Sequence, residues 1–181
     1  MKFERCIIND SYVIEPEVFG DNRGFFLETY NENNYRSIVG EEINFVQDNH
    51  SFSTYGSLRG LHFQLNQPQG KLVRVTQGEV LDVVVDLRVE SSSFLSWYSV
   101  ILSAENRKQI WIPPGIAHGF LVLSDSADFE YKCTAYYAPD DEYTLLWNDK
   151  KIGIDWPMKN PVLSEKDSKG LSLDEVMKII K

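Results

Sequence analysis

Only three histidines occur in this chain of 181 residues, and His62 sits in the segment Leu58-Arg59-Gly60-Leu61-His62-Phe63-Gln64. Imidazole is the one side chain whose unperturbed titration falls between pH 5 and 8, so a general base working near neutrality has few other candidates. The segment alternates as a strand does, with His62 and Gln64 on one face and Leu61 and Phe63 on the other. A strand that is apolar on one side and shows imidazole and amide on the other suits a β-barrel whose interior is a reaction site rather than a packed core. Arg59 adds a cation to the same stretch.

Further groups able to do chemistry recur beside strand candidates. They are Arg23 and Glu28 in Asp21-Asn22-Arg23-Gly24-Phe25-Phe26-Leu27-Glu28, then Gln47 and Asn49, Lys71, His118, Tyr131, and Lys166 with Asp167. If these converge, they supply base, orienting carboxylate, acid, oxyanion partner and phosphate ligands in one cavity. Each also has a plainer reading. His62 could be a hydrogen-bonded core histidine, and His118 a turn histidine after Pro113-Pro114-Gly115. Tyr131 could be a buried strand aromatic, and Asp167 a turn carboxylate. His50 reads as structural. Trp97, Trp111, Trp147 and Trp156 read as core or interface, and Asp82 and Asp86, alternating with valines, as a solvated strand face.

Stepping along the chain, the middle reads as strands. Lys71–Thr76 stops at Gln77-Gly78. In Glu79–Arg88, Leu81, Val83, Val85 and Leu87 share one face, while Val80, Asp82, Val84 and Asp86 share the other. Period-2 patterning on both sides of a glycine turn predicts a hairpin. Further strands are predicted at Tyr98–Ser103, Gln109–Ile112, His118–Leu123, Phe129–Thr134 and Tyr143–Trp147, with Pro113-Pro114-Gly115 as a turn. Many short strands separated by turn residues indicate a sandwich or barrel. Helical pattern appears at Asn31–Val39, closed by Gly40, and after Ser172-Leu173-Asp174-Glu175, a capping box opening a terminal helix at about 172–181.

Composition narrows the class. Hydrophobic content of 43% is that of a globular chain, and residues 1–181 read as a single domain with no repeat or linker. The net charge of −9 argues against nucleic acid, whose phosphates need a basic face. A single phosphorylated ligand held by local Arg and Lys remains compatible with it. Cys6 and Cys133 make no disulfide framework and read as reduced, partly buried thiols of a cytoplasmic protein. No zinc spacing occurs, the N-terminus lacks a signal-peptide run, and no stretch approaches the ~20 apolar residues of a membrane helix.

Several motifs taken together resemble the dTDP-4-dehydrorhamnose 3,5-epimerase family, cupin-type enzymes of deoxysugar synthesis. They are Phe19–Phe26, Gln47-Asp48-Asn49, Leu58–Gln64, Gln69–Val73, Gly78–Arg88, Ile112–Phe120, Tyr131–Tyr137, Trp147-Asn148-Asp149 and Leu163–Asp167, in order from about residue 15 to 170. The resemblance implies an all-β fold, a cupin-type jelly-roll β-barrel with a few short peripheral helices. It implies a substrate, dTDP-4-dehydro-6-deoxy-glucose, whose C3 and C5 flank a C4 ketone that acidifies both C–H bonds. It makes His62 the base, Asp167 the carboxylate that holds its imidazole, Tyr131 the acid on the other face, and Lys71 the cation near the C4 oxygen. By the same likeness Arg23, Arg59 and Lys166 contact the diphosphate and nearby polar groups. Glu28, Gln47, Asn49 and His118 then fix nucleotide and sugar, Tyr137 stacks on thymine, and Glu142 contacts the nucleotide or its loop. The family pattern also implies a homodimer with exchanged N-terminal segments, and no cofactor.

Two departures stand out. Metal-binding cupins carry His-x-His on this strand, whereas here it reads His62-Phe63-Gln64, so no metal is expected. After Asp167 comes Ser168-Lys169-Gly170, where the family often has proline. Alternatives within reach of the sequence are a C3-only epimerase of another dTDP-deoxysugar, for which the same residues would serve, and a non-catalytic nucleotide-sugar binding cupin.

Overall fold

The computed structural model describes residues 1–180. Thirteen strands follow one another as β1 (Lys2–Arg5), β2 (Tyr12–Glu15), β3 (Val18–Asp21), β4 (Gly24–Leu27), β5 (Gln47–Thr54), β6 (Leu58–Gln64), β7 (Lys71–Gln77), β8 (Glu79–Asp86), β9 (Trp97–Ser103), β10 (Gln109–Ile112), β11 (Ile116–Val122), β12 (Ser126–Cys133) and β13 (Glu142–Thr144). The helices are α1 (Glu32–Val39), α2 (Glu165–Ser168) and α3 (Leu173–Ile179). Six strands form one antiparallel sheet in the order β1-β2-β10-β7-β12-β5, and five form another in the order β13-β6-β11-β8-β9. The expected barrel is thus two open sheets face to face, the jelly-roll arrangement. The short sheet β3-β4 stands apart.

Between the sheets, one half of the interior is dry. Val73, Val75, Val80, Val84, Ile110, Ile112, Phe120 and Phe129 pack there, with the rings of Phe120 and Phe129 stacked at 4.0 Å. The outer faces are apolar as well. Leu61, Phe63, Val83, Val85 and Leu145 lie under α3 through Leu173 and Val176. Each side chain buried in this way contributes about 1.5–3 kcal/mol. On the other sheet, Ile14, Leu72 and Trp111 are covered by Tyr35, Ile38 and Val39 of α1. The central strands of both sheets are therefore buried on two faces, which is why β8 is apolar on both sides.

That double burial corrects two sequence readings. β7 and β8 are not a hairpin: β7 pairs with β10 and β12, β8 with β9 and β11. Gly78 instead turns a corner from one sheet to the other at φ +75°, where a Cβ would lie 2.0 Å from the Ser126 carbonyl oxygen. A turn glycine between two alternating runs signals reversal of direction, not pairing. Asp82 and Asp86 are fully buried rather than solvated. Asp86 is held by Arg88, Ser91 and Ser93, and Asp82 by His118.

The helices follow their caps. Asn31 caps α1 by accepting from the Asn33 amide, so the helix begins one residue later than the pattern predicts, and Gly40 closes it onto Arg36. At α3 the Ser172 amide and hydroxyl both donate to the Glu175 carboxylate. This helix ends at Ile179, and Lys181 of the predicted span lies outside the described residues. The predicted strand Tyr143–Trp147 reduces to Glu142–Thr144.

Candidate active site

The wet half of the interior is a cavity of about 370 Å³, lined among others by Gln47, Asn49, Arg59, His62, Lys71, His118, Tyr131, Tyr137, Glu142 and Lys166. The two sheets supply opposite walls. His62 and His118 come from β6 and β11; Lys71 and Tyr131 come from β7 and β12.

An irregularity in β6 makes the first wall. His118 pairs with His62, but Phe120 pairs with Arg59, so one residue of β11 faces two of β6. This is a β-bulge at Gly60-Leu61, and an extra residue reverses the in–out alternation beyond it. Strict alternation would send Arg59 and His62 to opposite faces. With the bulge, both line the cavity, while Leu58 and Leu61 both pack outside. Glycine is required here: a Cβ on Gly60, at φ +114°, would lie 2.6 Å from the His118 carbonyl oxygen, and one on Gly119 would lie 2.5 Å from that of Arg59.

His62 Nε2 meets Asp167 Oδ1 at 2.6 Å. Asp167 comes from α2, a single turn that the sequence reading missed. Ser164 caps it, accepting from the Asp167 amide at 3.0 Å and donating to Oδ2 at 2.8 Å. The spacing Ser164-x-x-Asp167 was the available signal. Burial pushes the Asp167 carboxyl up, but the hydrogen bonds from His62 and Ser164 outweigh it and hold it below its ordinary value. The ionised carboxylate therefore accepts a hydrogen bond from Nε2–H and leaves Nδ1 as the basic nitrogen. The Ser168-Lys169-Gly170 departure does not disturb this contact.

Across the cavity, burial pushes the Tyr131 phenol up to about 12. Lys71 Nζ lies 5.9 Å from the centre of that ring, and burial lowers its ammonium pKa. His118 Nε2 meets Asp82 Oδ2 at 2.9 Å, and burial lowers the imidazole despite the carboxylate. Alternation alone assigns Asp82 to a solvated face, so its pairing with His118 is not visible in the sequence.

At the mouth, Glu142 is the common partner. Its Oε2 accepts from the Tyr137 hydroxyl at 2.8 Å and is ion-paired with Lys166, while Oε1 lies 3.8 Å from His62 Nδ1. Burial raises the Glu142 carboxyl, but Lys166 and Tyr137 bring it below its usual range. Gln47 accepts from the Tyr137 amide and donates to Asn49, and Arg59 donates to the Ser53 hydroxyl. Gln64 does not face the cavity as a reactive amide. It is buried and spent on Gln67, Tyr136 and Ala138 backbone groups.

Two of the expected site residues are elsewhere within the single chain. Arg23 is exposed on the β3–β4 hairpin, paired with Asp21 at 2.5 Å, and Glu28 binds the Asn31 and Asn34 side chains beside α1. Another depression, of about 440 Å³, borders Arg74 and Lys132, whose charges are already paired with Glu130 and Asp48.

A jelly roll whose interior holds a carboxylate-oriented imidazole opposite a half-buried phenol defines a cupin-type acid–base isomerase. A family model for dTDP-4-dehydrorhamnose 3,5-epimerase matches residues 5–175. The dTDP-4-dehydrorhamnose 3,5-epimerase of Pseudomonas aeruginosa is 54% identical over 94% of each chain, and that of Escherichia coli K12 is 51% identical over 99% of this chain and 98% of its own. A crystal structure of the Legionella pneumophila dTDP-6-deoxy-D-glucose-3,5-epimerase, in complex with dTDP-4-keto-L-rhamnose, superposes with a TM-score of 0.91 at 48% identity, covering 97% of this chain and 96% of the other. This chain belongs to the dTDP-4-dehydrorhamnose 3,5-epimerase family.

Proposed function

We propose that the protein inverts C3 and C5 of dTDP-4-dehydro-6-deoxy-D-glucose to give dTDP-4-dehydro-L-rhamnose, within dTDP-L-rhamnose synthesis. The observation that carries the mechanism is the disposition of His62 and Tyr131 on opposite sheets facing one cavity. Epimerisation removes a proton from one face of the sugar and returns one to the other, and this arrangement has a group for each.

In this reading His62 Nδ1 takes the C–H proton, because Asp167 engages Nε2. Lys71 offsets the charge that develops on the C4 oxygen, and a partly desolvated ammonium does so more strongly than one in water. Tyr131 returns a proton from the opposite face. Its raised pKa keeps it protonated at neutral pH, ready to donate to a strongly basic enolate carbon. Arg59 and Lys166 hold the diphosphate, Tyr137 stacks on thymine, and Gln47, Asn49, His118 and Glu142 fix nucleotide and sugar.

Arg23 and Glu28 enter through a second subunit. The β3–β4 hairpin exposes Phe19, Phe25 and Phe26 beside Arg23, more apolar surface than an isolated chain comfortably leaves in water. A homodimer with exchanged N-terminal segments covers it and brings Arg23 to the neighbouring cavity. The setting is cytoplasmic, and no described helix is long and apolar enough to cross a membrane.

Proton NMR of the nucleotide sugar with this protein in D₂O tests the reading. Deuterium entering at both C3 and C5 is expected. Entry at C3 alone would make the protein a C3 epimerase, and no entry with retained binding would leave a nucleotide-sugar binding cupin.

A further inference from the structure

One imidazole serving two carbons must be emptied between them. After the first abstraction His62 carries a proton on Nδ1 and Tyr131 is short of one. Tyr131 can be refilled from water at the mouth, but His62 has to pass its proton on before it meets the second C–H bond. Around it stand Asp167 and Lys166 from α2, Lys71 from β7, His118 from β11, Tyr131 from β12 and Glu142 from β13. Asp167 is engaged on the other nitrogen and with Ser164. Lys71 is a cation. Burial disfavours a charged His118, whose Nε2 is already committed to Asp82.

Glu142 is left. Cross-strand register sets it beside the base, since Thr144 pairs with His62 and Glu142 with Gln64, so its side chain is a same-face diagonal neighbour. Its stem is fixed from behind, because Asp141 accepts from the Asn66 and Gln67 amides. Oε1 stands 3.8 Å from Nδ1, about 1 Å beyond a hydrogen bond. The groups that restrain Oε2, Lys166 and Tyr137, are the ones assigned above to diphosphate and thymine.

We propose that Glu142 is a positioning residue that unloads His62, and that nucleotide occupancy switches it on. The inference rests on the function proposed above. In the empty site Lys166 holds the carboxylate. When the diphosphate draws Lys166 away and thymine engages Tyr137, Oε1 closes on Nδ1. The Nδ1–H bond then breaks, an Oε1–H bond forms, and the proton leaves to water at the mouth, restoring neutral imidazole and carboxylate. Loss of the Lys166 contact also removes the main influence that depresses the Glu142 carboxyl, so its basicity rises when it is needed.

The test is rapid-quench NMR in D₂O on the wild type, Glu142→Gln, Glu142→Asp and Lys166→Met, counting singly and doubly deuterated sugar. In Glu142→Gln the second exchange is expected to slow about tenfold relative to the first, so singly exchanged sugar accumulates and kcat falls more than KM rises. Glu142→Asp, which keeps a carboxylate, restores part of the ratio. Lys166→Met raises KM and leaves the ratio at the wild-type value. A Glu142→Gln enzyme with raised KM and a wild-type ratio would reduce Glu142 to a nucleotide contact and overturn the proposal. Should that variant not fold, Glu142→Asp carries the test: singly exchanged sugar above the wild-type level is expected in it, and a wild-type ratio there overturns the proposal, as does accumulation of singly exchanged sugar in Lys166→Met. Wild-type enzyme that exchanges neither carbon is a separate result, and it removes the epimerase reading together with this one.

Discussion

Two of the histidine–aspartate pairs in the molecule are built on the facing residues His62 and His118 of neighbouring strands, and they differ in access. His62–Asp167 spans 2.6 Å with the imidazole 26% exposed, and its carboxylate comes from a capped turn 105 residues away. His118–Asp82 spans 2.9 Å with side chains 6% and 0% exposed, between adjacent strands of one sheet. Identical chemistry in the two pairs is given different work by access. The first leaves a basic nitrogen at a cavity wall near solvent. The second sits buried in the cavity lining, where burial disfavours the charged imidazole. A histidine beside a carboxylate is not by itself a base; its free nitrogen must reach substrate, and its proton must have a way out.

The sharpest way to break this contrast is His62→Ala. Loss of a general base commonly costs 10²–10⁴-fold, roughly, in kcat; both exchanges should vanish while calorimetry still shows dTDP binding. Near-native turnover would dissolve the distinction. Asp167→Asn tests the orienting carboxylate. With Nε2 no longer favoured as the protonated nitrogen, kcat should fall about 10²-fold with KM little changed, measured by steady-state kinetics.

Gly60→Ala attacks the geometry that sets the two histidines side by side. A Cβ there meets backbone at φ +114°, so denaturant titration should show a loss of about 1–3 kcal/mol, with activity lost alongside. The smallest effect concerns His118. Its folded pKa lies below the ordinary 6.5, so on acidification the unfolded chain takes up this proton first. Stability contributed by neutral His118 is complete above pH 6.5 and declines as pH falls from there toward the folded pKa. His118→Asn should flatten that part of the curve of unfolding free energy against pH. No change in slope would mean that the buried pair is not held neutral.

Much of this was legible in the chain. Alternation exposed β6, β8 and β12, and the Ser172-x-x-Glu175 spacing exposed α3, because these depend on local periodicity and local capping. His62 stood out through its place in an alternating strand and the scarcity of histidine, whereas the roles of Lys71 and Tyr131 rested on the family resemblance. What escaped was whatever depends on both faces of a sheet being covered. Asp82 was read as solvated because alternation cannot say that each side is packed, although valines on both faces of β8 implied it. Arg59 was grouped with His62 by proximity alone, and plain alternation would have separated them; a glycine inside a strand is the sign of the bulge that reunites them. Arg23 and Glu28 were tied to the site by the family resemblance alone, and the structure sets both outside the cavity of the single chain.

The close approach of Gly60 and Gly119 also bears on how such a site can change over generations. An alanine at either position comes nearest to the main chain of the opposite strand: the His118 carbonyl in one case, the Arg59 carbonyl in the other, with the Leu61 side chain also within 2.9 Å of a Cβ on Gly119. Substituting the facing residue cannot relieve the conflict, because every residue carries the same carbonyl. Neither position has a compensating partner, so no stepwise path leads away from the glycine pair while the notch persists. Novelty in this scaffold must arise at the cavity mouth, around Tyr137, Glu142 and Lys166, where side chains meet side chains and one change can be answered by another.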